Sequence, residues 1–316
     1  MPYSKTNSRE PDHLGSPVCI ADHFVMVTRS DPHAYAIRRL LKETTKLGLR
    51  VEVCRPDRFG ILMGKTPALT YNGNPFVCSG VILTRTCSGT HAPILLRQME
   101  IMGMRVINRL GAILSAIDKP HTMQLAATAG IPIPGTLIHS ANNVVGEWTL
   151  GYPCIVKIPS GSCGRGVILI NDANQLKAFF EFVNSIAPCT LLVQEYVADQ
   201  IGADLRVLVV NGKAIGAMLR RSKNGDPRAN ASLGGVGEPY PLTPLIAETA
   251  EKMAQLLDLE IAGVDLLFKG DKFVLVEVNG SPGFKEFESS CNVNVAGAIA
   301  RYIAAQLSSP ATLYSR

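Results

Sequence analysis

Between residues 22 and 108, short apolar runs alternate with longer amphipathic stretches. His23-Phe-Val-Met-Val-Thr28, Val51-Glu-Val-Cys54 and Gly80-Val-Ile-Leu-Thr84 read as strands, and Arg105-Val-Ile-Asn108 as a fourth, shorter one. Residues 34–47, closed by Gly48, and residues 93–102 carry the helical period. Strand and helix in alternation predict a small α/β domain with parallel pairing. The polar residues ahead of it, 1–21, read as a loose tail.

A second segment opens helical at Arg109 and meets Gly130-Ile-Pro-Ile-Pro-Gly135, whose prolines predict a stiff connection. From Tyr152 onward strands come in pairs. Pro153 to Ile158 and Gly166 to Ile170 flank a glycine-rich loop, and a helix over 173–184 leads into a strand ending at Glu195-Tyr196. Asp204 to Val210 and Ala214 to Arg220 flank Asn211-Gly212, the strongest short hairpin signal. A helix over 244–257 precedes the pair Gly263 to Phe268 and Phe273 to Asn279, which turns at Lys269-Gly-Asp-Lys272, and a helix over 293–307 closes the chain. The expected fold class is mixed α/β and α+β. It comprises an N-terminal parallel domain (22–108), a central linking domain (109–190) and a C-terminal antiparallel domain (191–316).

The most informative stretch is Phe273-Val-Leu-Val-Glu277-Val-Asn279-Gly-Ser-Pro-Gly283. Strand residues i and i+2 point to one side, so Glu277 and Asn279 project together while Val276 and Val278 enter a core. Folding the hairpin brings Asp265 close to Glu277. Two carboxylates and a carboxamide are hard oxygen donors, suited to a magnesium ion that also holds substrate phosphates.

Ser160-Gly161-Ser-Cys-Gly164-Arg-Gly166 has enough glycine for backbone N–H groups to close on phosphate oxygens. By itself it would serve equally as a flexible hairpin, and it lacks the Lys-Ser/Thr of a Walker loop. Lys157 ends the strand before it, and Lys119 in Ile117-Asp-Lys119-Pro begins a helix. Each lysine alone is compatible with a solvated surface charge. A glycine loop, two lysines and three oxygen ligands are together the parts needed to hold a nucleoside triphosphate.

Composition narrows the alternatives. A chain of 316 residues with 47% hydrophobic content can bury a large core. No apolar run approaches the roughly 20 residues of a membrane span, and residues 1–15 lack the apolar core of a secretory signal. The eight cysteines have no metal-type spacing and fit reduced thiols of a cytoplasmic protein. A net charge of +5 without a basic-aromatic stripe argues against nucleic acid as a partner.

Lys119, Lys157, the Gly161 loop, Gln194-Glu195-Tyr196-Val197, Asp204-Leu-Arg206, Arg228-Ala-Asn230 followed by Gly234-Gly235, Asp265 and Glu277-Val-Asn279 fall in the order seen in ATP-grasp ligases. With Leu96-Arg-Gln-Met-Glu100 in the N-terminal domain, the chain resembles the RimK-type ribosomal-protein glutamate ligases over residues 22 to 308. The resemblance implies an ATP-grasp fold that binds ATP and Mg2+, with Mn2+ as a substitute. It implies that Glu195, Tyr196 and Val197 lie at the adenine and that Asp204 accepts from a ribose hydroxyl. Lys119, Lys157 and the loop glycines Gly161, Gly164 and Gly166 would hold phosphates. Arg228 and Asn230, with Arg206, would face the transferred phosphoryl group, and Asp265, Glu277 and Asn279 would hold the metal. The implied reaction activates a carboxylate as an acyl phosphate, which an amine attacks. Glutamate would be added to a protein or peptide C-terminus or built into poly-glutamate, by an enzyme of a family that tends to self-associate.

Two features depart from the family pattern. Gly283 is followed by Phe284-Lys-Glu-Phe-Glu288 where Leu-Glu-Gly-Ile-Glu is frequent, and Leu233 stands where a basic residue often precedes the Gly-Gly pair. They leave open a relative that ligates an amino acid to a small cofactor or carrier-bound intermediate. A nucleotide-binding regulatory protein without turnover is a reading of another class, opposed by the complete metal triad. Arg220, Arg221 and Lys223 would suit an acidic acceptor or form a solvated face.

Overall fold

The computed structural model describes residues 18–20, 23–86, 89–140, 149–158, 166–186, 189–222 and 236–308. The N-terminal region contains β1 (Val18–Ile20), β2 (His23–Val27), α1 (Tyr35–Lys46), β3 (Arg50–Cys54), β4 (Phe59–Leu62), β5 (Ala68–Tyr71), β6 (Asn74–Cys78), β7 (Val81–Thr84), α2 (His91–Ile101) and β8 (Arg105–Ile107). The expected parallel sheet is present, in the order β3-β2-β7-β8. β1 lies inside the stretch expected as a tail and pairs with β6.

The sheet β1-β6-β5-β4 does not figure in the sequence expectations. Its turn is Asn72-Gly73, with both residues at positive φ (52° and 82°), the conformation that tight two-residue hairpins demand. The signal was present, but the flanking strands are too short and too mixed in polarity to advertise themselves. They are held by packing: Phe59 meets Tyr71 and Phe76 at ring-centroid distances of 4.8 and 4.9 Å. Phe59, Leu69 and Phe76 then join Val25, Val27, Ile82 and Leu95 in one core.

The linking segment holds α3 (Leu110–Ile117) and α4 (Lys119–Thr128), the latter capped by Asp118, which accepts from the His121 N–H at 3.0 Å. The central sheet comprises β9 (Thr136–Ser140), β10 (Cys154–Lys157), β11 (Val167–Ile170) and β12 (Thr190–Glu195), with α5 (Ala173–Ile186) packed on it. Its order is β11-β10-β12-β9. β12 hydrogen-bonds within this sheet, although a boundary at residue 190 assigns it to the C-terminal domain.

The C-terminal sheet has the order β15-β14-β13-β16-β17, built from β13 (Ala203–Val210), β14 (Lys213–Arg221), β15 (Val236–Tyr240), β16 (Ile261–Lys269) and β17 (Lys272–Asn279). α6 (Pro244–Leu256) lies between β15 and β16, and α7 (Lys285–Cys291) and α8 (Val295–Ser308) follow β17. Strand alternation sends Leu205, Val207 and Val209 into a core with α3, α4 and α6. Leu208, Val210 and Met218 face the other way, into a core shared with α1, α7, α8 and the parallel sheet. On that second face, the end of the sheet away from this core is polar.

The N-terminal region is fixed to this sheet through Asn108, which is buried and fully bonded. Its Nδ2 donates to the carbonyls of Ile261 (2.7 Å) and Gly280 (2.6 Å), and its Oδ1 accepts from the N–H groups of Glu260 (2.8 Å) and Ile261 (3.0 Å). Cys54, Cys78, Cys154, Cys189 and Cys291 are free thiols, and the first three are buried, as expected of small core residues.

Candidate active site

A row of charged side chains crosses the polar end of the C-terminal sheet. Arg206 on β13 lies opposite Asp265 on β16, and Asp265 lies opposite Glu277 on β17. Asn279 faces Gly263 two residue pairs along the ladder. The expected proximity of Asp265, Glu277 and Asn279 is therefore realised by register. One detail differs from simple alternation: the ladder pairs Leu266 with Leu275, leaving Val276 as an extra residue in a bulge. The bulge lets Leu275 enter the core while Glu277 still faces the site, and Val276 is half-buried rather than a core residue.

Asp265 is 2% exposed and held from two sides. Arg206 donates to both carboxylate oxygens, at 2.6 Å from its Nη2, and Arg220 Nη2 lies 3.0 Å away. Burial alone would raise the Asp265 carboxyl; the two guanidinium charges outweigh it and hold it below the ordinary carboxylate range. Arg220 also grips Asp204 in a two-pronged pair, both contacts at 2.5 Å. Burial raises the Asp204 carboxyl, and the nearby Asp265 charge adds to it, against the opposing pull of Arg220 and Arg206.

Arg220, 4% exposed, is the site residue that the sequence did not disclose. An unbroken register from the Asn211-Gly212 turn would place Leu219, not Arg220, opposite Asp204. The ladder instead pairs Val209 with Ala214 and Leu208 with Gly216, so the extra residue Ile215 shifts Arg220 onto the polar face. Arg221, by contrast, is exposed and pairs with Glu238 at 3.0 Å.

The two lysines converge on Glu277. Lys119 Nζ, at the start of α4, lies 3.9 Å from Glu277 Oε1. Lys157 ends β10, as expected, and its desolvation by burial pulls the ammonium down to about 8. The charges of Glu277 and Asp265 act upward and that of Lys119 downward. Two ammonium groups set beside oxygen ligands suit an incoming polyphosphate. Gly166 closes the loop after Lys157 with φ +77°, and its carbonyl accepts from the Ile158 N–H at 2.9 Å. Gly161, Gly164, Arg228 and Asn230 lie outside the described residues, as do Leu233 and Lys223.

Glu195, at the end of β12, stands between the central and the C-terminal sheet. Its carboxylate accepts from the Gly135 N–H at 2.9 Å and pairs with Lys269, and its own N–H donates to the Gly135 carbonyl at 2.8 Å. The side chain thus fastens the hinge. Tyr196 and Val197 follow in the segment that connects β12 to β13. Asp204 keeps free lone pairs beyond its two Arg220 bonds, since a carboxylate has about four acceptor positions.

The segment after Asn279 is largely structural. Phe284 and Phe287 are each 1% exposed and together contribute roughly 3–6 kcal/mol at about 1.5–3 kcal/mol apiece. Glu288 accepts from Tyr35 Oη (2.8 Å), Arg39 Nε (2.7 Å) and the Ala296 N–H (2.9 Å), tying α7 to α1 and α8. The departure from the family pattern at 284–288 therefore lies mostly in core and latch residues, with Lys285 exposed.

Among the described residues no cluster of three His, Cys, Asp or Glu side chains forms a metal site. The candidate set of two carboxylates and one carboxamide still fits magnesium, because all donors are hard oxygens and the ion takes the remainder from phosphates and water.

A model of the RimK-like ATP-grasp domain matches residues 116–303. The chain belongs to the RimK-like ATP-grasp family. Among its relatives is the probable alpha-L-glutamate ligase of Thioalkalivibrio sulfidiphilus (strain HL-EbGR7), 32% identical over 286 residues, which cover 88% of this chain and 94% of that protein. Beta-citrylglutamate synthase B of Danio rerio is 38% identical over 221 residues, 68% of this chain; the match spans about half, 54%, of the synthase. In fold, the chain is similar to the ATP-grasp ligase PsnB, solved with a phosphomimetic variant of its minimal precursor, Mg and ADP. The TM-score is 0.70 at 20% identity, covering 91% of this chain and 99% of that one. Membership of the RimK-like family bears out the ATP-grasp fold and the reading of an ATP-dependent ligase. No helix among the described residues is long and apolar enough to cross a membrane.

Proposed function

We propose that this protein joins a carboxylate to an amine at the expense of ATP and Mg2+, adding glutamate to the C-terminus of a protein or peptide. The observation that carries the reading is the cross-strand row Arg206–Asp265–Glu277 facing Lys119 and Lys157.

A carboxylate is a poor electrophile, so amide formation requires its prior conversion to an acyl phosphate. Lys119 and Lys157 bind and orient the phosphates, and their charge offsets that gathering on the transferred phosphoryl group. Asp265, Glu277 and Asn279 would hold magnesium, which would supply Lewis-acid stabilisation of the phosphoryl charge. Manganese takes the same donors and would substitute. Arg206 and Arg220 fix Asp265 in place. Glu195, Tyr196 and Val197 would receive the adenine, and Asp204 a ribose hydroxyl. Arg228 and Asn230 would face the phosphoryl group being transferred. No protein nucleophile is required, because the amine attacks the acyl phosphate directly and phosphate leaves.

The 94% coverage of a probable alpha-L-glutamate ligase favours glutamate as the added unit. The likeness to beta-citrylglutamate synthase B favours a second reading, in which the acceptor is a small carboxylic acid. We place the reaction in the cytoplasm, where ATP is abundant and the free thiols stay reduced. The test is phosphate release from Mg-ATP across a panel of amino acids and acceptors, with product masses and a D265A/E277A double variant as control. Glutamate-dependent release with glutamyl mass steps supports the proposal; release independent of every amino acid overturns it.

A further inference from the structure

Arg85 is a partly buried cation whose role the ligase account leaves unassigned. It immediately follows β7. In the order β3-β2-β7-β8, the chain passes from β2 outward to β3 on one side and to β7 and β8 on the other. The crevice outside the carboxyl ends of β2 and β7 is thus the switch point at which open parallel sheets receive ligands. Arg85 stands there and leans toward the C-terminal sheet. Its Nη2 donates to the Pro282 carbonyl at 2.8 Å, and its Cζ lies 5.6 Å from the centre of the Phe284 ring.

Pro282 in turn touches the reacting end of the sheet. A β-carbon added at Gly263 would come within 2.8 Å of Pro282 Cβ and 3.3 Å of Arg206 Cδ. Pro282 thus bridges the Arg85 guanidinium and the strand position beside Arg206.

The charge balance is incomplete. Arg39, Arg55, Arg105, Arg206 and Arg220 each pair with a carboxylate. Arg85 has no carboxylate partner among the described residues, and one carbonyl uses one of its five N–H donors. Desolvation pulls the guanidinium down to about 10, so it stays charged at neutral pH. A partly desolvated cation with spare donors favours an anionic partner, and a planar fork of donors is the group best matched to a carboxylate.

We propose that Arg85 binds a carboxylate of the amino-acid substrate and thereby selects an acidic amino acid. The inference rests on the ligase reading above. Glutamate offers two such groups, the α- and the γ-carboxylate, and each is removed in one of its amides.

The test is calorimetric titration of the full chain, saturated with Mg2+ and a non-hydrolysable ATP analogue. L-glutamate, its γ-amide and its α-amide are the probes, used against wild type, R85M and R85K. The wild type should bind glutamate and lose affinity for the amide that lacks the carboxylate held by Arg85. R85M should weaken glutamate roughly tenfold to a hundredfold, the range for losing a charged hydrogen bond. It should also erase the preference over that amide and leave affinity for the ATP analogue within about twofold. R85K, which keeps the charge but not the fork, should fall between.

Glutamate affinity within about twofold of wild type in R85M, or a parallel loss of affinity for the ATP analogue, overturns the proposal and leaves Arg85 as a clamp on Pro282. If a different amino acid binds, glutamate is excluded and Arg85 is judged on that compound and its amides; if no amino acid binds, the assignment falls. Intact Arg85-dependent binding with no ATP turnover would instead sink the ligase reading alone.

Discussion

Asp265 and Glu277 face each other directly across the β16–β17 ladder, and the extra residue Val276 sits immediately beyond them. The two carboxylates share a strand pairing yet differ in setting. Asp265 is buried between Arg206 and Arg220, whereas the Glu277 side chain is 32% exposed with Lys119 at 3.9 Å.

That difference separates two substitutions. D265A leaves two buried guanidinium groups short of a counter-charge and should destabilise the protein by about 3–5 kcal/mol, the cost of breaking a buried pair from one side. E277Q should unfold within about 0.5 kcal/mol of wild type, as expected of a partly exposed pair, while losing ATP turnover by at least about a hundredfold. Denaturant midpoints and phosphate release, measured on both variants, check the contrast.

The Lys157 ammonium, pulled down to about 8 by burial, should make ATP binding depend on alkaline pH. Below that value the free protein carries the charge that the phosphates need, and above it binding must first take up a proton. The Michaelis constant for ATP should therefore rise as pH increases through about 8, and K157M should flatten the dependence. In the nucleotide-free protein the linkage runs oppositely: the unfolded chain, whose lysine titrates near 10.5, binds more protons between the two values, so this group's contribution to stability grows as pH rises through that window.

Asn108 satisfies four backbone groups with one carboxamide. N108A should cost about 3 kcal/mol or more, since each buried polar group left unpaired costs roughly 1–3 kcal/mol. Hydrogen exchange should show faster opening at the Glu260 and Ile261 amides than elsewhere in β16.

Gly263 admits Pro282 because it has no β-carbon. The proline ring is stiff, so G263A must displace the 280–283 loop, with a stability cost of about 1–3 kcal/mol for overpacking. Turnover should fall further than that loss accounts for, because the same loop carries the carbonyl that Arg85 contacts. Comparing kcat with the unfolding midpoint measures the excess.

Features written in local chemistry were readable from the sequence. The Asn211-Gly212 turn, the paired strands Gly263 to Phe268 and Phe273 to Asn279, and the common side of Glu277 and Asn279 follow from turn propensity and a period of two. The bulges at Ile215 and Val276 were not readable, because an extra residue in a strand leaves composition and alternation almost unchanged. For that reason Arg220 reads in the sequence as a match for an acidic acceptor or a solvated face rather than a partner of Asp204 and Asp265, and Val276 as a core residue. The β4–β6 meander went unread for another reason: its strands are stabilised by aromatic contacts between distant positions rather than by local pattern.

The central claim is that a carboxylate is activated as an acyl phosphate, and isotope transfer tests it most directly. An acceptor labelled with 18O in its reacting carboxylate is incubated with Mg-ATP and glutamate, and the released phosphate is analysed by mass. Acyl phosphate formation moves one carboxylate oxygen into each phosphate, so labelled phosphate should accumulate in step with amide product. Amide formation accompanied by wholly unlabelled phosphate would contradict the account.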